Sequence, residues 1–165
     1  MAGGDVPVIV QFSVPFVVPK GRPRFGKGRT FTPKKTAEAE HAIRDAYRGA
    51  CIRKYGRVVT APQRAKVMVA ATFEVPAPKT RPRWVPKVLW DVGVVPFVTT
   101  PDTDNLLKLV CDGLNPYKGK GGETVNVAWH DDSQVVETHA YKLDRERGGR
   151  ERTNVIVFWE EEQGQ

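Results

Sequence analysis

Four carboxylates in two short stretches are the residues best suited to chemistry. Asp102 and Asp104 sit in TTPDTDNLLKLVCDGLN with one residue between them, and Asp131 and Asp132 are adjacent in WHDDSQV. An extended stretch entering a helix lets two carboxylates spaced this way reach one point from a rigid platform. The plain reading of either one is a helix cap, since a helix N-terminus favours negative charge by about 0.3–1 kcal/mol. That reading accounts for one acid, but not for a second two residues away or for a third and fourth beyond the helix. Carboxylates held within about 4–6 Å raise each other's pKa unless a cation intervenes. Mg2+ suits such a group because it takes hard oxygen ligands and keeps several waters and substrate phosphate oxygens. It also polarises a phosphodiester and acidifies bound water, and a pair of metals about 3.5–4 Å apart can stabilise both attacking and leaving oxygens. On spacing alone, solvated turns and caps remain open beside the metal site.

The elements that must position these acids follow from local pattern. The helix after the first pair takes Thr103 or Asp104 as N-cap, and Leu106, Leu107, Val110, Cys111 and Leu114 form its apolar face. Lys108 lies one turn in, and at i,i+4 it can pair with Asp112. Upstream, VPVIVQFSV (6–14) alternates as a strand, and VPKGRPRFGKGRTFTP is a basic turn or irregular arm. A helix runs from Pro33, with Thr32 able to cap it, to about Tyr55. AKVMVAATFEV (65–75) reads as a long strand, a short helical turn is expected at Val85–Leu89, and VGVVPFV (92–98) as an edge strand. PYKGKGGET is a Gly-rich loop, VNVAW and SQVVETHAYKL are strand-like segments flanking the Asp131-Asp132 turn, and TNVIVFWEE is a last strand. The sum is an α+β fold, strand-helix-strand-helix-strand-strand, with a mixed or antiparallel sheet whose last two strands can pair as a hairpin. Residues 1–165 form one domain, with frayed ends at 1–5 and 161–165.

Charge is distributed unevenly. Residues 20–66 hold 14 Lys or Arg against Glu38, Glu40 and Asp45, a net +11 within a chain of +7. Residues 101–144 hold eight acids against four lysines, a net −4. A basic block is often a solvated face, but an excess of this size favours a polyanion partner. Carboxylates gathered inside such a protein repel phosphate, so a cation between the two is expected. Cys51 and Cys111 form no metal-ligand spacing and no disulfide framework. With no run of about 18–20 apolar residues and no signal-peptide pattern, a cytoplasmic protein without a membrane partner is expected.

PDTDNLLKLVCDGLN followed by WHDDSQV resembles the RusA family of Holliday-junction resolvases, whose signature runs PD-x-DN-L-x-K, then D-x-LN, then DD-x-Q. KGRPRFGKGRTFTPKKTAEAE resembles that family's opening, a PRPR-like basic turn before a Tyr/Phe-Thr-Pro and a helix, and Lys142 matches a final lysine. The resemblance spans about residues 12–144. It implies a RusA-like fold and a crossover junction endodeoxyribonuclease, with catalytic aspartates at Asp102, Asp104 and the acidic pair. Within that pair Asp132 is the better match and Asp131 the alternative. The catalytic lysine is Lys108. The implied cofactor is Mg2+, for which Mn2+ substitutes. The implied partners are four-way DNA junctions and a second copy of the chain, in recombination and repair, and such resolvases are common in phages and prophages. Asn105, Asp112, Gln134 and Lys142 take supporting roles. Lys20, Arg22, Arg24, Lys27, Arg29, Lys34 and Lys35 are the expected phosphate contacts. Phe25 and Phe31 are expected to pack back onto the sheet, with stacking on an opened base as the alternative. His130 is expected as a satisfied strand-end histidine. Residues 88–100 and 116–128 depart from the family pattern, being more apolar and longer respectively. The rival readings are a fork or flap nuclease, a junction-binding protein that does not cleave, and a phosphohydrolase of small nucleotides.

Overall fold

The computed structural model describes residues 6–161. The elements run β1 (Val6–Val14), β2 (Arg24–Gly26), β3 (Arg29–Phe31), α1 (Lys34–Tyr55), β4 (Val67–Glu74), α2 (Lys87–Asp91) and β5 (Val94–Val95). They continue with α3 (Thr103–Leu114), β6 (Tyr117–Lys118), β7 (Thr124–Val125), a 3-10 turn (Asp132–Gln134), β8 (Val135–Lys142), β9 (Arg145–Glu146) and β10 (Arg152–Glu161). The expected frayed ends lie outside the described residues, except Glu161, which closes β10. No described helix is long and apolar enough to cross a membrane.

Alternation fixes the main sheet. Val8, Val10, Phe12 and Val14 of β1, Val67, Val69, Ala71 and Phe73 of β4, and Thr153, Val155, Val157 and Trp159 of β10 are all buried. They form one continuous inner face, because side chains two apart on a strand share a side. The sheet order is β1-β10-β4-β8. β10 is antiparallel to both β1 and β4, while β8 runs parallel to β4. The α+β class and the mixed sheet are therefore as expected, but the terminal hairpin is not. β4 lies between β8 and β10, and the chain from β4 to β8 is a crossover through α3, as a parallel pair requires.

Several boundaries also move. Pro33, not Thr32, is the residue preceding α1, and no side chain caps it. α2 starts two residues later than its expected position, behind Pro86. The edge strand shrinks to Val94–Val95, paired with β9, because Pro96 has no N–H to continue the ladder. VNVAW is not a strand beyond Val125, and Val127, Ala128 and Trp129 instead fill the core.

Helix α1 covers the inner face with Ala39, Ile43, Tyr47, Ala50 and Cys51, and Tyr47 meets Phe12 edge-on with ring centroids 6.0 Å apart. Its end is set by Gly56 in the left-handed region at φ 70, whose N–H donates to the Ile52 carbonyl. Helix α3 packs on α1 through Leu106, Leu109, Val110 and Leu114. Gly113 allows the close approach: a Cβ there would stand 2.8 Å from an Ile43 methyl and 3.0 Å from the Glu40 carbonyl oxygen. The helix carrying Asp104 and Lys108 is thereby fixed to the sheet.

Candidate active site

Asp102 is the N-cap residue of α3, one position before the expected Thr103 or Asp104. Its carboxylate makes no capping hydrogen bond, so the helix end does not consume it. Asp104 lies in the first turn, and Asp102, Asp104, Asn105 and Lys108 are all exposed. The stretch that delivers Asp102 is held from outside the helix. The Lys142 ammonium donates to the Thr99 carbonyl at 2.8 Å and the Pro101 carbonyl at 3.2 Å, and sits 4.6 Å from the Phe97 ring centroid. Arg145 packs over the same ring and donates to the Thr99 hydroxyl. The apolar departure at 88–100 thus serves the site locally, since Val95 and Phe97 are buried and anchor the approach to Asp102.

The acidic pair divides its labour. Asp131 caps the 3-10 turn, with its carboxylate accepting from the Ser133 N–H at 2.9 Å. Those Ser133 hydrogen bonds hold its carboxyl below the ordinary value. Gln134 completes the capping box: its carbonyl oxygen accepts from the His130 and Asp131 N–H groups, and its amide donates to the Pro62 and Ala65 carbonyls. Gln134 is buried, and these bonds tie the turn to the loop before β4. The backbone, by contrast, leaves Asp132 exposed.

Asp132 faces α3. Cys111 has its thiol pKa pushed up to about 11, chiefly by burial and then by the charges of Asp112 and Asp132. Asp104, Lys108 and Cys111 recur at spacings of four and three, so they lie along one face of α3. Asp104 and Cys111 are about 10 Å apart along the axis at 1.5 Å per residue. Of the candidate acids only Asp104 lies on this face of α3, with Asp102 at the helix N-cap and Asp132 on the 3-10 turn, and among the described residues no three His, Cys, Asp or Glu side chains form a metal-holding group.

The expected pairing of Lys108 with Asp112 does not form. Asp112 instead meets the Lys20 ammonium at 2.6 Å, and Glu40 meets the same ammonium at 2.6 Å. Among the described residues Lys108 has no salt bridge. Lys20, expected as a phosphate contact, is a structural cation: its side chain is only 20% exposed, and its N–H donates to the Asn105 carbonyl at 2.9 Å. Burial pulls its pKa down, but the hydrogen bonds and charges of Asp112 and Glu40 outweigh it and hold the group above its ordinary value. The stabilisation this gives is present throughout the neutral range and is lost only as pH rises through that raised pKa. Lys20→Met should lower stability by about 1–3 kcal/mol, because two carboxylates lose their shared partner. Urea unfolding of the two proteins measures this, and unchanged stability would return Lys20 to the phosphate contacts.

Of the other expected phosphate contacts, Arg22, Arg24, Lys27 and Arg29 lie on an arm before α1, and Lys34 and Lys35 open α1 itself. Strands β2 and β3 pair as a hairpin, a more regular structure than the expected turn. Arg22, Arg24, Lys27, Arg29 and Lys35 are exposed, as is Lys34, whose only partner among the described residues is Glu38 at 3.6 Å. Phe25 and Phe31 do not pack back onto the sheet; they are 79% and 46% exposed. The longer 116–128 segment holds the β6–β7 pair. It is fixed to α1 by Tyr117, which lies under Arg44 and accepts from Arg48 at 3.0 Å, and to α3 by Trp129, which donates to Asn115 at 2.6 Å. His130 bonds Asn126 at 2.7 Å, which agrees with a satisfied histidine.

Two residues near the site carry no local signal in the sequence. Arg64 and Lys66 line a groove with His130, Asp131 and Ser133, beside the turn that carries Asp132. Both belong to the basic block, but only the tie from Gln134 to Pro62 and Ala65 brings their loop to the acids.

The model of the family described as Endodeoxyribonuclease RusA matches residues 15–157. The chain belongs to the RusA family. That match takes in every residue assigned above, from the Lys20 anchor to Lys142. A comparison with the curated proteins finds no match. As a member of the RusA family the protein is an endodeoxyribonuclease. This accounts for a basic arm and exposed acids without salt bridges among the described residues.

Proposed function

We propose that this RusA-family protein resolves four-way DNA junctions by Mg2+-dependent hydrolysis, as a homodimer acting in recombination and repair. One observation carries the reading. Asp102, Asp104, Asp132 and Lys108 are exposed and lack salt bridges among the described residues, whereas Asp112, Glu40 and Asp131 beside them are engaged. Charges left free amid paired neighbours are suited to ligands outside the chain.

The donor set fits a hard divalent cation: three carboxylates, with no competing lysine drawn onto them. Asp102, Asp104 and Asp132 would hold the ion, which leaves its remaining positions to waters and substrate phosphate oxygens. When bound, Mg2+ or Mn2+ supplies a polarised phosphoryl oxygen and an acidified water. The chain supplies the rest. Lys108 offers its ammonium to the scissile phosphate, where negative charge grows in the transition state. Gln134 holds the turn that aims Asp132, and Lys142 holds the approach to Asp102. Arg22, Arg24, Lys27, Arg29, Lys34 and Lys35, with Arg64 and Lys66, position the backbone without reading sequence. A junction cut on opposed strands presents two equivalent scissile phosphates, which calls for two copies related by a two-fold axis.

The deciding experiment is cleavage of a synthetic four-way junction. With Mg2+ the protein should make paired nicks on opposed strands, with none in a chelator and none on the linear duplex of the same sequence. Binding without nicks on adding Mg2+ or Mn2+ would make it a junction-binding protein. Faster cleavage of forks or flaps than of junctions would reassign the substrate.

A further inference from the structure

We propose that Phe25 is a stacking wedge that enters the opened centre of branched DNA and sets the preference for branched over linear duplex. The inference rests on the DNA-junction reading above and deepens it.

Phe25 is the most exposed large hydrophobic residue described, at 79%. It belongs to an ordered strand, not to a frayed end: it pairs with Thr30 in the β2–β3 ladder, between the Arg24–Phe31 and Gly26–Arg29 pairs. Alternation puts Phe25 and Thr30 on one side of the hairpin, and Arg24, Phe31 and Arg29 on the other. Phe31 is supported on its side, since a Cβ at Gly26 would stand 3.2 Å from its ring. Phe25 is the more open of the two rings, 79% exposed against 46% for Phe31.

The hairpin is built for a rigid presentation. Lys27 and Gly28 both have positive φ, 51 and 73, which is the turn that matches the twist of two short strands. A lysine in the left-handed region costs about 1–2 kcal/mol relative to the ordinary helical conformation, and here it places a cation at the tip. The root is secured on both sides. The Gly21 N–H donates to the Thr36 hydroxyl at 3.2 Å, and Lys20 ties the same segment to Asp112 and to the Asn105 carbonyl on α3. The root of the arm is therefore tied to the helix that carries Asp104 and Lys108.

An aromatic side chain on a hairpin whose other face and tip carry Arg24, Arg29 and Lys27 repels nothing in DNA. The cations meet phosphates while the ring stacks on a base, a combination that tolerates any sequence because every base has a π-face. Bases in a continuous duplex already stack on each other and have no face to give. Bases at a branch point do, so the ring discriminates by structure.

The test uses wild type, Phe25→Ala and Phe25→Trp, on a fully paired junction and on the same junction with unpaired bases at its centre. A fluorescent adenine analogue at the branch point, read in a chelator, reports unstacking without cleavage. Phe25→Ala should cut the paired junction about tenfold or more slowly. It should cut the pre-opened junction nearly as fast as wild type and lose the fluorescence change, while Phe25→Trp keeps both. The thermal midpoint of Phe25→Ala should match wild type, since the ring is exposed. An equal loss on both junctions, or an unchanged fluorescence signal in Phe25→Ala, overturns the wedge. A wild type that gives the Phe25-dependent signal yet cuts neither junction supports the wedge and overturns the resolvase reading instead.

Discussion

Asp104→Asn should lower junction cleavage at least about a thousandfold, the scale set by losing charge stabilisation that acts only in the transition state. Junction affinity in a chelator should stay at or slightly above that of wild type. The substitution keeps shape and removes one negative charge. Asp104 is exposed in the first turn of α3, so no packing is lost. The thermal midpoint should fall slightly at most, because the helix N-terminus loses an acid worth about 0.3–1 kcal/mol. Metal-free DNA binding should tighten, since a carboxylate near phosphate is repulsive until a cation separates them. The same logic ranks the neighbours. Asp132→Asn should resemble Asp104→Asn, whereas Asp131→Asn should act mainly through the 3-10 turn that Asp131 caps. Single-turnover cleavage beside a binding titration in chelator separates the effects. Asp104→Asn cutting within tenfold of wild type would remove Asp104 from the site.

The contrast between Asp104 and Lys20 indicates what the sequence could disclose. Strands β1, β4 and β10 were legible because their inward residues alternate, and α3 because its apolar residues repeat at three and four. Asp102 and Asp104 stood out because their spacing is local. What was hidden depends on partners far along the chain. Nothing near Lys20 predicts that it meets Asp112 across 92 positions (20 to 112) and so displaces the local choice, Lys108. The place of β10 inside the sheet is set by pairing with β1 on one edge and β4 on the other, and the order of strands is not written in any one of them. Arg64 and Lys66 resemble solvated charges until Gln134 ties their loop to the acidic turn. Phe25 misled for the opposite reason: its hydrophobicity predicted burial, and the short hairpin has no core to bury it in.

The displacement of Lys108 from Asp112 is what makes its replacement informative. Lys108→Ala should reduce the single-turnover rate about a hundredfold to a thousandfold, as for other groups that meet developing charge. Stability should change by no more than about 0.5 kcal/mol, the usual result for an exposed side chain without a partner. Had Lys108 been the i,i+4 partner of Asp112, the loss would be a few tenths of a kcal/mol in the helix and nothing in the rate. Lys20→Met should show the reverse pattern, a less stable protein whose rate at low temperature stays near that of wild type. Lys108→Arg keeps the charge but spreads it over a planar group, so it should recover part of the rate and most of the junction affinity. Raising the metal concentration should leave the Lys108→Ala rate depressed, since the missing charge is on the phosphate side and not among the carboxylates. A rate for Lys108→Ala that excess Mg2+ fully restores would instead place Lys108 in the electrostatic shell of the cation, and the transition-state role would pass to Arg64 or Lys66 beside the acidic turn.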